Sequence, residues 1–250
     1  MRHPFEKSKS ASPIVATSAT PSDVTSAEGA STSRRSFLGR GVAAAAVPAA
    51  LVAGSGLANA GTPGNGPFPS YYPGSTAKTF QEIQVDEYLH VNIISQLITS
   101  LGGTPRPLPT FRGIQNLSAT QFLSLSTTLE NTGVGAYLGA VPYISNPKVT
   151  IAAAEIALVE AYHAGFLNTL SNVPLIPNRT LPLASPIDLF TILNAVAPFV
   201  VSLNDNGQFP PVYGSTPSAT NDLAILNFAL LLEMLEAEFY YYNVPAIFPG

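Results

Sequence analysis

Residues 221–242 read NDLAILNFALLLEMLEAEFYYY, a run that is apolar on nearly every face of a helix yet holds Glu233, Glu236 and Glu238 within it. A helix that is hydrophobic all round belongs in an interior. A lone carboxylate buried there is costly unless something pairs with it. The run therefore needs other helices packed around it and partners for its acids.

The first sixty residues supply neither. Residues 1–32 are rich in Ser, Thr, Ala and Pro and show no apolar period that would define a core face. Ser33-Arg34-Arg35-Ser36-Phe37-Leu38-Gly39 follows, then an Ala-rich stretch closed by Ala58-Asn59-Ala60, the small-x-small pattern of a signal-peptidase site. This resembles a twin-arginine export signal cleaved after Ala60, a route that carries folded proteins, often with a metal or cofactor already inserted. A transmembrane anchor is the alternative reading, but Pro48, Gly54 and Gly56 break an apolar run barely long enough to span. The expectation is an exported protein, periplasmic or extracellular in a bacterial setting, with residues 61–250 as one domain.

From residue 61 onward there are five Lys and Arg against twelve Asp and Glu, a net charge of −7. No basic stripe exists to displace counterions from a phosphate backbone, so a nucleic-acid partner is excluded. The chain has no cysteine, which removes disulfides, thiolate-bound zinc and iron–sulfur clusters. About 190 residues suffice for one domain with a substantial core.

Four further segments show helical periodicity. The first runs from Ser75 or Thr76 to about Leu101 and stops at Gly102-Gly103. Residues 102–117, with three prolines and three glycines, form an extended connection long enough to travel the height of a bundle. Ser118 caps a second helix towards Leu138, in which Gly133 and Gly135 admit a close neighbouring helix. Asn146-Pro147 starts a third, ending near Leu170. Ser185-Pro186-Ile187-Asp188 opens a fourth, expected over residues 186–203 and kinked at Pro198. No alternating run bounded by hairpin turns appears, so the fold class is all-α.

The domain holds two histidines, each three residues after a glutamate: Glu87-Tyr88-Leu89-His90 and Glu160-Ala161-Tyr162-His163. Residues i and i+3 share a helix face, so each pair aims a carboxylate and an imidazole at one point. With eight glutamates in the domain, chance produces one such pairing about four per cent of the time, and both roughly a few times in a thousand. Glu130, and Glu233 with Glu236, add carboxylates from two other apolar helices. Two Glu-x-x-His helices plus two lone-Glu helices are the ligand inventory of a carboxylate-bridged dimetal site in a four-helix bundle. Oxygen ligands with two imidazoles suit iron or manganese, with zinc possible. Two divalent cations also neutralise the buried acids. Glu82, Asp86, Glu155 and Glu238 read as helix-surface charges, and Tyr240–Tyr242 as core and rim aromatics, Tyr240 also able to donate to a ligand carboxylate. Neither histidine has the Ser and Asp pattern of a nucleophilic triad around it.

The segments QVDEYLHVNIISQL, TLENTGVGAYLGA, AAAEIALVEAYHAGFL and the closing run resemble the exported ferritin-like domain family, which includes desiccation-related proteins. The resemblance implies a ferritin-like four-helix bundle with one additional helix and a long crossover loop. It implies that Glu87 and Glu160 bridge two metals, that His90 and His163 each cap one, and that Glu130 and Glu233 are terminal ligands. Glu233 is preferred to Glu236 because ferritin-like first helices place a tyrosine seven residues after the ligand, which Tyr240 fits. Glu236, one turn on, is then a base beside the ligands or a ligand to a third metal. The lone-Glu helix that ordinarily comes first stands last here, so the bundle is expected to be circularly permuted, with the 186–203 helix, about 27 Å long, making the return along it. The resemblance further implies dioxygen or peroxide as the small oxidant met at the metals, in iron oxidation or peroxide consumption under stress. The alternative is a non-catalytic stress-protective module on the same bundle. A monomer or small homo-oligomer is expected in either case.

Overall fold

Short polar side chains catch the first free amides of four helices. In the computed structural model, which describes residues 74–176, 183–208 and 213–249, helix α1 spans Ser75–Ser100 and follows Gly74. Helix α2, Ala119–Ala140, begins with a capping box: the Gln121 amide donates to Ser118 Oγ, and the Ser118 amide donates to Gln121 Oε1 at 3.0 Å. Helix α3, Pro147–Leu170, starts with Asn146 accepting from the Lys148 amide, and Pro147 occupies a first-turn position where no amide is needed. Helix α4 is Leu189–Val196, capped by Asp188, and helix α5 is Ala219–Ile247, capped by Ser218. The described residues fall within one compact unit, Gly56–Gly250. The expected export signal lies outside the described residues.

Helix directions follow from the aromatic contacts. Phe80 near the start of α1 packs on Phe122 near the start of α2, with centroids 5.0 Å apart, so these helices run the same way. The chain between them crosses the full length of the bundle, as residues 102–117 are expected to do. Phe80 also meets Phe166 late in α3 and Phe248 beyond the end of α5, so α3 and α5 run oppositely. Helix α1 packs chiefly along α5 and α2 along α3, with α2 against α5 and α1 against α3 as lesser contacts. Helix α5 thus closes the bundle of its own chain. One half of the interior is filled by Phe80, Phe122, Phe239, Tyr240 and Phe248, all buried.

The 186–203 helix is not formed. Asp188, not Ser185, is the cap, accepting from the Thr191 amide at 3.0 Å. The α-helix ends after eight residues. Pro198 lies in the 3-10 turn Ala197–Phe199 that follows, and a proline has no amide to donate back to the Asn194 carbonyl and continue the α-helix. Val200–Ser202 then forms a strand, β2, antiparallel to β1, Thr110–Phe111. Two β-branched residues after a proline favour extended backbone, and the crossover offers a free edge. The bundle is all-α as expected, but this small ribbon was not, and the return to α5 is made in short pieces instead of one helix.

The ribbon is held down by a buried cation. Arg106 in the crossover donates from Nη2 to Asp205 Oδ2 at 3.2 Å and from Nη1 to the Asn227 carbonyl at 3.1 Å. Its amide donates to Asn227 Oδ1 at 2.8 Å. One side chain therefore joins the crossover, the return segment and α5. Asp222 does similar work at the same end, accepting from the Ser145 and Asn146 amides at 2.8 and 3.0 Å and so fixing the start of α3.

The α2 glycines make room for different neighbours. A Cβ at Gly133 would lie 2.5 Å from Glu160 Oε2 on α3, so that glycine admits the carboxylate of a neighbouring helix. Gly135 instead faces Ile187, a loop residue, and a Cβ at Gly139 would lie 2.1 Å from the Ile187 carbonyl oxygen. The Ile187 amide donates to the Gly135 carbonyl at 2.9 Å, so this loop backbone cannot yield cheaply. Gly139→Ala is expected to destabilise the domain by about 1–3 kcal/mol, as overpacking does. A shift in the urea unfolding midpoint at unchanged slope measures it.

Helix α3 is, among the described residues, the helix long and apolar enough by length and composition to cross a membrane. Its inward face carries Glu160 and His163 into the bundle.

Candidate metal centre

Each of the four long helices delivers one carboxylate to the middle of the bundle. Glu87 on α1 and Glu160 on α3 are fully buried, as is Glu130 on α2, and Glu233 on α5 is 1% exposed. The i, i+3 spacing places His90 and His163 beside Glu87 and Glu160 on the inward stripe of their helices.

The side chains meet in two overlapping sets. His90 Nδ1 lies 3.1 Å from Glu233 Oε2, 3.3 Å from Glu160 Oε1 and 3.4 Å from Glu87 Oε2. His163 Nδ1 lies 3.0 Å from Glu87 Oε1 and 3.2 Å from Glu130 Oε2. The ligand atoms of Glu87, His90, Glu160 and Glu233 all lie within 4.8 Å of one another, as do those of Glu87, Glu130, Glu160 and His163. Glu87 and Glu160 belong to both sets. All six residues expected around a metal pair therefore converge.

The donor chemistry fits cations. The four oxygens of Glu87 and Glu160 are buried and accept no well-directed hydrogen bond. Buried polar atoms are nearly always satisfied, and a cluster of orphaned carboxylate oxygens is a place for a positive charge. Burial, and then Glu130, push the Glu87 carboxyl up to about 7. Burial and the Glu87 and Glu130 charges also raise Glu160 well above its ordinary range. Burial alone would lower both imidazoles, but the surrounding acids prevail. Glu233, with Glu160 and Glu87, holds His90 well above its ordinary value. Glu130 and Glu87 lift His163 to about 11. The site without cations thus retains protons that cations would replace.

Three residues orient this set, and two of them, Asp86 and Tyr137, were not anticipated in that role. Asp86 was expected to be a surface charge, but its Oδ2 lies 3.2 Å from His163 Nε2. That contact occupies the outer ring nitrogen and leaves Nδ1 facing the cluster. Tyr137 on α2, 8% exposed, donates a short hydrogen bond to Glu233 Oε1 on α5. Tyr240 on α5 donates in turn to Glu130 Oε1 on α2 at 2.6 Å, as its spacing had suggested. Burial, and then the partner carboxylate, raise both phenols well above their usual range, so both remain donors. Tyr137 follows Glu130 by seven residues, as Tyr240 follows Glu233, and that repeated spacing is the signal by which it was legible. Glu238 was also expected at the surface. It is 6% exposed and bonds to Tyr242, one turn further on.

Glu236 stands apart from both ligand sets. It is 3% exposed, lies one turn beyond Glu233, and borders a cavity of about 10 Å³ with Gly133, Leu129 and Val196. Burial and the nearby Glu87 charge raise its carboxyl well above the ordinary range. Glu82 and Glu155 are exposed as expected.

An antiparallel helical bundle that gathers two Glu-x-x-His pairs and two further glutamates at its centre defines a ferritin-like protein. The family model described as a ferritin-like domain matches residues 36–173, more than half of the chain, and the chain belongs to that family. The matched range takes in α1, α2 and α3 and ends before α5. No curated protein and no solved structure matches the chain.

Proposed function

We propose that this protein is exported and binds two metal ions at the bundle centre. One ion is held by His90 and Glu233, the other by His163 and Glu130, with Glu87 and Glu160 shared. The observation that carries this reading is the set of four buried oxygens on Glu87 and Glu160 that accept no well-directed hydrogen bond and face the two imidazoles. Four carboxylates and two imidazoles favour iron or manganese over softer metals, with zinc as a third possibility. Iron or manganese there supplies electron exchange with dioxygen or peroxide, in iron oxidation or peroxide removal. Tyr137 and Tyr240 hold the terminal carboxylates from opposite helices, and Asp86 holds His163 in the orientation that presents Nδ1. The helix order is proposed to be a circular permutation of the usual one. It is supported by α5, beyond the matched range, closing the bundle along α1. The Arg34-Arg35 pattern and Ala58-Asn59-Ala60 support export by the twin-arginine route, with residues 61–250 as the mature domain.

Elemental analysis of the purified mature protein after metal-replete expression tests the reading. The expected result is two equivalents of iron or manganese per chain, with oxygen-dependent iron oxidation or peroxide loss. Two bound equivalents without either activity would favour a non-catalytic stress-protective module. A metal-replete preparation with essentially no bound metal would sink the site.

Tyr137→Phe and Tyr240→Phe are each expected to lower metal affinity by about 10–100-fold, the usual effect of losing a group that orients a ligand. The fold should persist, because phenylalanine keeps the packing. Competition with a chelator of known affinity reads the change, and an unchanged titration would show that the tyrosines do not position the ligands.

A further inference from the structure

The two halves of the bundle interior are packed differently, and the cluster lies between them. On one side the aromatic stack of Phe80, Phe122 and Phe239 fills the space, with centroids 5.0 and 5.2 Å apart. On the other, the facing positions are Ala136 and Ala140 on α2, Ala152 and Ala153 on α3, and Ala229 on α5. These alanines leave a cavity of about 30 Å³, also walled by Ile94, Ile156, Leu232 and Tyr137. Interiors are ordinarily packed without such gaps, and a methylene or two on any of the alanines would close this one.

Its position relates it to the cluster. Ile94 lies one turn after His90, Ile156 one turn before Glu160, and Ala229 one turn before Glu233, so the cavity occupies the adjacent layer of the bundle. Tyr137 is shared: its ring lines the cavity and its hydroxyl donates to Glu233. Its chemistry excludes water. The lining is almost wholly hydrocarbon, and the Tyr137 hydroxyl is already engaged, whereas a buried water needs two to four polar partners. The cavity is not sealed, since Ala152, Ala229 and Tyr213 in its wall are part-exposed, but its apolar lining favours apolar molecules over water.

We propose that this cavity is a binding site for one small apolar gas molecule, and that in the working protein it holds dioxygen one helical turn from the carboxylate and histidine cluster. The dioxygen role rests on the metal-centre reading above; the gas site itself does not. Xenon pressurisation of the metal-free, methyl-labelled protein, followed by NMR, tests the site. The expected result is saturable shifts of the Ala136, Ala153, Ala229 and Ile94 methyls. Ala153→Leu, which fills the space from α3, should abolish them, and Ala136→Val, a smaller change from α2, should reduce them if the leucine variant does not fold. Absence of xenon shifts in the wild-type chain, or their persistence in a folded Ala153→Leu protein, would overturn the site. In metal-loaded protein, the filled variant should consume dioxygen several-fold more slowly at unchanged metal content. Equal rates at equal metal content would overturn the dioxygen role while leaving the gas site. If the wild-type chain takes up no metal, the dioxygen role falls with that reading, and the xenon result still decides the cavity.

Discussion

Replacing Glu160 and His163 together by alanine is expected to reduce bound metal to less than about a tenth of wild type. Glu160 belongs to both ligand sets and His163 Nδ1 faces the second, so the double substitution removes an oxygen donor from each site and the only imidazole from one. Loss of a residue that merely orients a ligand already costs about 10–100-fold in affinity, and a ligand costs more. Stability should respond differently to the two substitutions. The metal-free protein buries the Glu160 carboxyl without a well-directed hydrogen bond, and burial with the Glu87 and Glu130 charges strains it further. Removing it relieves a desolvation penalty, so a metal-free Glu160→Ala single variant should melt at or above the temperature of the metal-free wild type, whereas loss of the His163 cation facing Glu87 and Glu130 costs stability in the double variant. Elemental analysis with thermal melts by circular dichroism reads both quantities. Glu155→Ala, on the exposed face of α3, is the control and should change neither. Unchanged metal content in the double variant would place the ligands elsewhere.

What was legible beforehand divides by the range of the interaction. The limits of α2 and α3 are local matters, set by Ser118 with Gln121 and by Asn146 with Pro147, and the structure places them where those residues imply. The Glu-x-x-His pairs are also local, because three residues along a helix fix a shared face whatever surrounds it. Residues 186–203 went wrong because a non-local event decided them: Val200–Ser202 found an edge at Thr110–Phe111, ninety positions away. Asp86 is the part-exposed charge expected, but its contact with His163 was hidden for the same reason. Its partner is on α3, a different helix, and nothing in its own helix distinguishes it from a solvated acid. Arg106 escaped notice entirely, since its value lies in meeting Asp205 and Asn227. Tyr137 is the instructive exception, readable from the seven-residue spacing that was applied to Tyr240 alone.

Without metal, the domain is expected to lose stability steadily from about pH 5 to pH 8. Burial and the Glu130 charge raise Glu87 from 4.5 to about 7 in the folded state. Between those values the native protein binds more protons than the unfolded chain, so raising the pH favours unfolding. A shift of that size amounts to about 3 kcal/mol for this one group, and Glu160 and Glu236 are displaced in the same direction. His163 continues the trend. Its folded value of about 11 stands above the usual 6.5, so its contribution is complete below 6.5 and is lost as the pH rises towards 11. At about 2–4 °C per kcal/mol for a domain of this size, the metal-free melting temperature should fall by roughly 10 °C across the range. Metal reverses the dependence, because cations take the places the protons vacate and bind only the deprotonated ligands. Binding to the native state alone adds stability that grows with affinity, and affinity grows with pH. The gap between metal-loaded and chelator-stripped melting curves should therefore be small near pH 5 and largest near pH 8. A stripped protein whose melting temperature is flat or rising through that interval would show that the buried acids do not hold their protons. The helix of residues 221–242 would then need some other account of how it carries Glu233 and Glu236 in the core.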